Sequence, residues 1–176
     1  MKKVLSLPFF DRPALEVAPD LLGKFLVTHK DGKEIALMIC EVEAYVGEHD
    51  LACHARVGKT ERTAPLFGPP GHFYVYFIYG IHWMLNIVTD RDGYASGVLI
   101  RGAGEFIGPA RLTKFLKIDR CLKGKPAVLE SGVWFEDRDI KIPEIDRAQT
   151  ARIGVGYAGE WAQKPYRFII KSIVKK

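Results

Sequence analysis

Two stretches in the first third of the chain have the alternation and composition of β-strands. Residues 25–28 and 34–45 are rich in apolar and β-branched side chains, and Asp31-Gly32 between them is a strong hairpin turn. The second stretch is apolar on both faces over its first half, which indicates a central strand of a sheet. Further along, the alternation places three residues on one face, namely Glu41, Glu43 and Tyr45.

The middle of the chain predicts a second hairpin. Residues 71–88 are dominated by aromatic and β-branched side chains, and we predict two strands joined by a turn at Tyr79-Gly80-Ile81. Before this hairpin, residues 46–67 are polar and irregular and are expected to form a long loop with some helix. Shorter strands are predicted at residues 97–101, 133–135 and 167–170.

The N-terminal region predicts short helices. Asp11 is expected to cap a helix whose first turn contains Pro13. Two helical pieces are expected up to Leu22-Gly23, where the glycine ends the second one. Pro19 argues against one continuous helix, because an internal proline removes a hydrogen bond and clashes with the preceding turn.

Residues 109–117 predict a further helix with one apolar face. Its inward positions are Leu112, Phe115 and Leu116, and its outward positions are Arg111, Lys114 and Lys117. Strands come in runs and helices are few, which is typical of the α+β class. We therefore predict one domain over residues 1–176, with a mainly antiparallel curved sheet, a protruding β-hairpin and flanking helices.

Composition and charge narrow the class of partner. The 176 residues are 48% hydrophobic and 27% charged, and the net charge of +5 favours a polyanion such as nucleic acid or a membrane surface. The three cysteines are widely spaced and predict no disulfide framework, which suits a reducing cytoplasm. No apolar run approaches the ~20 residues that span a bilayer, and the first residues make a poor signal peptide, so we expect no membrane partner.

Glu41 and Glu43 form the first candidate site. Strand rise separates them by about 7 Å, which suits general acid–base hydrolysis of a glycosidic bond. The alternative, which spacing alone favours, is a pair of solvated glutamates on an edge strand. The apolar surroundings support the first interpretation, because burial raises the pKa of a carboxyl group toward the range of a general base.

The aromatic hairpin is the second candidate site. Its tyrosine rings suit base stacking, and a bulky residue at a hairpin tip suits a wedge between base steps; the rings are those of Tyr74, Tyr76 and Tyr79. The alternative is a pair of core strands, which we expect for Phe73, Val75 and Phe77. It fits the tyrosines less well, because each buried hydroxyl needs a partner.

Two other groups carry weaker signals. Residues 48–54 gather metal-capable side chains without the spacing of a metal motif, so no metal and no cofactor are predicted. Within them, His54 is either a structural loop histidine or a hydrogen-bond partner for a bound base. Several basic side chains are either phosphate contacts or solvated surface charges: Arg111, Lys114, Lys117, Lys164 and Arg167.

Five blocks of motif run in order along nearly the whole chain. They are residues 41–47 with His54, residues 74–80 with Asn86, and residues 98–101, 108–112 and 152–162. These blocks resemble the ExEAYxG…H, YVYxIYG…N, VLLR, GPxxL and RIGVxxAGEWA motifs of the alkyladenine (3-methyladenine or methylpurine) DNA glycosylase family. One block alone is weak evidence, but five in register are very specific.

The resemblance implies a monofunctional DNA glycosylase of base excision repair. Glu43 would deprotonate the water that attacks C1′ of a flipped nucleotide, Arg101 would help hold that water and the adjacent phosphate, and Glu41 would support them. The partner would be double-stranded DNA that contains damaged purines of the 3-methyladenine, hypoxanthine and ethenoadenine class. We expect a monomer, cytoplasmic and associated with the nucleoid if the source is prokaryotic.

The resemblance also implies a pocket and a wedge. Tyr45, His54 and Tyr76 would surround the flipped base, and Asn86 would clash with the 2-amino group of normal guanine. Tyr79 would intercalate in the minor groove and fill the gap left by flipping. Further DNA contacts are expected from Ile81, Arg111 and Lys114.

The chain departs from the family pattern in a few places. The segment between Arg101 and Gly108 is much shorter than in many relatives, which bears on DNA affinity and footprint. His82 and Trp83 follow the wedge turn and bear on how the groove is opened, and two further departures are Thr63 and Leu66. Two other functions remain open at this point: a catalytically silent nucleic-acid-binding module, and a carbohydrate glycosidase that uses Glu41 and Glu43.

Overall fold

The fold is built around antiparallel strands. A computed structural model describes residues 2–30 and 32–174. The strands in these ranges are β1 (Lys3–Val4), β2 (Phe25–Lys30), β3 (Lys33–Val46), β4 (Phe73–Ile78), β5 (His82–Val88), β6 (Ser96–Ala103), β7 (Phe106–Ile107), β8 (Val133–Asp137), β9 (Arg147–Thr150) and β10 (Arg167–Ile170). The α-helices are α1 (Leu7–Phe10), α2 (Ala14–Leu21) and α3 (Pro109–Phe115). Short 3₁₀ helices lie at His54–Val57, Ala64–Phe67, Arg120–Leu122, Leu129–Ser131, Glu144–Asp146 and Gly156–Gln163.

The sheet has β3 at its centre. The strand order is β1-β8-β2-β3-β6-β5-β4, with β10 on β3, β9 on β10 and β7 on β6, and each of these pairs is antiparallel. The first half of β3 pairs with β2, and its second half lies between β6 and β10. The predicted α+β class, the mainly antiparallel sheet and the central position of this strand are confirmed.

Helix α2 covers the sheet with one apolar stripe. Ala14, Val17, Ala18 and Leu21 recur at helical spacing and are buried. They join one core with the inward residues of the strands, among them Leu26, Val42, Phe73, Ile100 and Phe135. None of the helices in the described ranges is long and apolar enough to cross a membrane.

The N-terminal helices differ from the prediction. Asp11 lies at the C-terminal end of α1, where its N–H donates to the Leu7 carbonyl at 3.1 Å, and Pro13 occupies the N-cap of α2. Helix α2 continues through Pro19, so the predicted break is wrong. The packed apolar stripe outweighs the single hydrogen bond that this proline removes. Gly23 ends the helix as predicted, with a φ of 85°.

Both predicted hairpins form. Lys30 pairs with Lys33 across the first turn, whose residue Asp31 lies outside the described residues. In the second turn Tyr79 and Gly80 have φ values of 54° and 69°, and the Ile81 N–H donates to the Ile78 carbonyl at 3.2 Å. Two successive left-handed residues make this turn tight.

The tip of the second hairpin extends into solvent. Tyr79 is 84% exposed and Ile81 is 67% exposed. Phe73 and Val75 are buried as expected, but the core assignment of Phe77 is wrong, because Phe77 lies near the tip and packs on Trp83 with ring centroids 4.7 Å apart. Helix α3 ends at Phe115, earlier than predicted. Its faces are confirmed, with Leu112 and Leu116 buried and Arg111, Lys114 and Lys117 exposed.

Candidate active site

Glu43 is a buried carboxylate at the centre of the sheet. It lies on β3 opposite Leu99 of β6 and Arg167 of β10, and its side chain has 0% exposure. One oxygen accepts the Ile153 N–H at 2.7 Å, and the other accepts the Tyr45 hydroxyl at 2.8 Å. Solvated glutamates on an edge strand are therefore excluded.

Burial has the largest influence on the pKa of Glu43. Removal from water raises the pKa of this carboxyl above its ordinary value of 4.5. The Arg101 guanidinium, 3.4 Å away, and the donors from Ile153 and Tyr45 lower the pKa but do not offset burial. The carboxylate is thus more basic than a free glutamate, as the apolar context of the strand indicated.

Glu41 holds two arginines. Its Oε1 accepts the Arg101 Nε–H at 2.9 Å and the Arg167 Nε–H at 2.6 Å. A local irregularity in the β3–β6 pairing falls at Glu41, where Gly102 leaves room for close approach because a Cβ there would lie 3.2 Å from the Glu41 Cβ. Arg167 was a candidate phosphate contact, but it is largely buried in this ion pair, which corrects that assignment.

A cavity of about 310 Å³ opens above these carboxylates. Six of the predicted site residues line it: Tyr45, His54, Tyr76, Tyr79, Asn86 and Arg101. Glu43 lies beneath the lining, where it contacts Tyr45, Arg101 and Ile153. Ile81 and Lys114 line a neighbouring groove instead, and Arg111 is exposed on α3.

The aromatic wall of the cavity is ordered by hydrogen bonds. Tyr74 is buried, and its hydroxyl lies 3.0 Å from His54 Nδ1, so it supports the wall and offers no stacking face. The His54 ring meets the Tyr76 ring edge-on at 4.5 Å. Burial, together with the charges of Arg62 and Arg56, lowers the pKa of His54 to about 4, which keeps this ring neutral at physiological pH.

Asn86 is fixed in the middle of β5. It is buried, pairs with Tyr74 and Leu99 on the flanking strands, and its Nδ2 donates to the Tyr74 carbonyl at 3.1 Å. That bond orients the amide group at the cavity wall. A rigid amide in this place can exclude a ligand atom as well as bind one.

Asp50 and Arg152 form a buried ion pair that the sequence did not predict. Both side chains have 0% exposure and form two bonds, at 2.5 and 2.9 Å. Arg152 also donates to the Ala44 carbonyl at 2.9 Å and lies 4.8 Å from the Tyr45 ring. The pair thus fixes the segment whose next residue, Ile153, donates to Glu43.

A signal for this pair was present but ambiguous. Asp50 stands in the metal-capable segment 48–54, and Arg152 opens the last motif block. No group of three His, Cys, Asp or Glu side chains that could hold a metal ion occurs in the part of the chain that the structure describes. Only the contact in the folded structure shows that Asp50 pairs with Arg152.

Comparison with known proteins adds an independent observation. The family model described as "Methylpurine-DNA glycosylase (MPG)" matches residues 8–107 and 104–173. The chain belongs to the methylpurine-DNA glycosylase family. It is therefore an enzyme of this glycosylase type with a DNA substrate.

Several proteins similar to this chain match it along almost its full length. A protein of Methanocella arvoryzae is 44% identical in an alignment of 191 positions that covers 96% of this chain and 93% of the relative. One of Legionella pneumophila (strain Paris) is 42% identical in an alignment of 178 positions that covers 97% of this chain and 96% of the relative. One of Myxococcus xanthus is 42% identical over 172 residues, covering 93% and 88%. Each bears the name "Putative 3-methyladenine DNA glycosylase".

The buried pair predicts a large effect on stability. Asp50→Asn removes the charge that balances Arg152, and we expect the free energy of unfolding to fall by about 3–5 kcal/mol in urea denaturation. Asp20→Asn is the control, because Asp20 pairs with Arg12 at 3.0 Å on the surface and should cost less than about 1 kcal/mol. Equal losses in the two variants would contradict the importance of the buried pair.

Proposed function

We propose that this glycosylase rotates a damaged purine nucleotide out of duplex DNA into the cavity and hydrolyses its N-glycosidic bond with a water activated by Glu43. The observation that carries the proposal is a buried, basic carboxylate beneath an aromatic cavity, next to an exposed hairpin tip. Chemistry on a base inside a duplex requires such extrusion. We further propose that the protein acts as a monomer in base excision repair, in the cytoplasm and associated with the nucleoid if its source is prokaryotic.

The proposed chemical step uses one carboxylate. The water oxygen forms a bond to C1′, its proton passes to Glu43, and the bond between C1′ and the purine nitrogen breaks with its electron pair going to the base. Because Tyr45, Arg101 and Ile153 cover Glu43, the attacking water must sit among these residues. Arg101 is held by Glu41 and would position that water and the adjacent phosphate.

The cavity wall suits a damaged purine. Tyr45 and Tyr76 offer electron-rich rings to a cationic alkylated base. Neutral His54, whose Nδ1 is engaged by Tyr74, leaves Nε2 for the edge of the base. Asn86 would oppose the 2-amino group of guanine. These features favour 3-methyladenine, hypoxanthine and ethenoadenine over normal guanine.

The hairpin tip would act as the wedge. Tyr79 and Ile81 are exposed and apolar, so they can enter the minor groove and replace the stacking of the extruded base. Arg111 and Lys114 on α3 would contact phosphates nearby. A carbohydrate glycosidase that uses Glu41 and Glu43 is disfavoured, because Glu41 is committed to two arginines.

Replacement of the base tests the catalytic step. We expect Glu43→Gln to lower the single-turnover rate of hypoxanthine release from duplex DNA by about 10²–10⁴-fold, because a positioned general base contributes roughly this much. Duplex affinity should be retained. The control Glu105→Gln changes an exposed carboxylate and should leave the rate unchanged. Full release by Glu43→Gln would instead rule out Glu43 as the base.

The raised pKa of Glu43 predicts an acid limb in the pH profile. Glu43 must be ionised to accept a proton, so the rate should fall as the pH drops through a pKa above 4.5. The Glu43→Gln variant should lack this limb. Single-turnover rates across the acidic range, with folding monitored at each pH, provide the measurement. A limb that persists in Glu43→Gln would assign the titration to another group.

The wedge role predicts a separation between docking and flipping. Tyr79→Ala should reduce flipping, read by a fluorescent base analogue at the lesion position, more than it reduces binding to undamaged duplex. The reason is that the wedge acts after the protein has docked. Leu129→Ala, which truncates an exposed apolar residue elsewhere, is the control. Equal losses of binding and flipping in Tyr79→Ala would argue against a wedge.

A further inference from the structure

The β4–β5 hairpin has two different faces. Tyr76, Ile78 and Met84 line the cavity, whereas alternation places Phe77 and Trp83 on the opposite face, which we call the rear face. Phe77 and Trp83 are cross-strand partners, and Phe77 is 43% exposed. The cavity therefore accounts for only one face of the hairpin.

Two grooves meet at Trp83, and they also extend around the hairpin, the first to His82 and the second to Tyr76. The first has a volume of about 470 Å³, borders α3 and is lined by Lys114 and Lys117. The second has a volume of about 360 Å³, borders the Arg120–Leu122 helix and is lined by Arg120 and Lys123. These four cations are exposed.

Hydrogen bonds hold the grooves in place beside the hairpin. Thr113 Oγ1 donates to the Trp83 carbonyl at 2.8 Å, and Lys123 Nζ donates to the Glu61 carbonyl at 3.1 Å. Asp119, a carboxylate in the first groove, accepts a backbone N–H at the start of the next 3₁₀ helix at 2.7 Å. Cations outnumber carboxylates along both grooves, so the rear face suits a polyanion.

We propose that the rear face docks the DNA strand opposite the damaged nucleotide, with Lys117, Arg120 and Lys123 neutralising its phosphates beside Phe77 and Trp83. This inference rests on the proposed function. A hairpin in the minor groove, which is only about 6 Å wide, has one backbone on each side. The cavity faces the strand whose nucleotide is flipped, so the rear face meets the complementary strand.

Binding to chemically neutralised DNA tests this surface. The probe is a duplex with a tetrahydrofuran abasic analogue at the lesion position, in which methylphosphonate linkages replace charged phosphates on either the lesion strand or the complementary strand. Affinities are measured over a range of salt for the wild type and for the triple variant Lys117→Gln, Arg120→Gln, Lys123→Gln. No base is released, so the result stands even if Glu43 proves not to be the catalytic base.

We expect the effects of the substituted cations and of the methylphosphonates to be coupled on the complementary strand only. The triple variant should reduce the slope of log affinity against log salt by about 3, or about 1 for Lys117→Gln alone. Complementary-strand methylphosphonates should weaken the wild type and barely affect the triple variant. Lesion-strand methylphosphonates should weaken both proteins equally. Such non-additivity identifies groups in contact.

A matched charge control separates docking from net charge. Lys33→Gln, Lys141→Gln, Lys171→Gln removes the same charge from exposed positions outside these grooves, and it should keep its sensitivity to complementary-strand methylphosphonates. Three results would overturn the proposal: an unchanged salt slope in the triple variant, coupling with the lesion strand instead, or an equal loss of slope in the control. An unchanged slope would leave a protein partner as the occupant of the rear face.

Discussion

Glu41 and Glu43 are ionisable groups on a strand with neighbours on both sides, and neither side chain is more than 2% exposed. A buried carboxylate without partners costs several kcal/mol, so such groups persist only where charges and donors surround them. Arg101 and Arg167 supply the charges, and the Ile153 N–H and Tyr45 hydroxyl supply donors. The sheet order provides these partners, because β6 and β10 flank the half of β3 that carries both glutamates.

The partners of Glu43 come from distant parts of the chain. Ile153 lies 110 residues away in sequence, and its backbone is positioned by the preceding Arg152, which Asp50 anchors from the other side. The candidate site is therefore complete only when the segment that carries Ile153 packs beside β3. The charge of Arg101 and the donors from Ile153 and Tyr45 limit how far burial raises the pKa of the Glu43 carboxyl.

Local patterns predicted local structure well. The alternation in residues 34–45, the turn at Tyr79-Gly80 and the two faces of residues 109–117 follow from short-range rules, and all three are confirmed. The long-range pairs could not be predicted in this way. Nothing in the sequence beside Arg167 distinguishes a buried partner of Glu41 from a phosphate contact, and nothing beside Asp50 shows that it pairs with Arg152, because these identities depend on which strands become neighbours.

The hairpin tip, unlike the cavity, combines a strained backbone with an exposed side chain at Tyr79. Tyr79 adopts a left-handed conformation, which costs roughly 1–2 kcal/mol for a residue with a side chain. The neighbouring Gly80 lets the chain reverse there, and the strain persists because the paired strands behind it determine the turn. The turn holds the Tyr79 ring almost fully in solvent. The apolar surface of this ring is therefore not buried in the free protein, which costs stability. Such strain and exposure fit the wedge that we propose for Tyr79, because its ring would be buried only when DNA is bound.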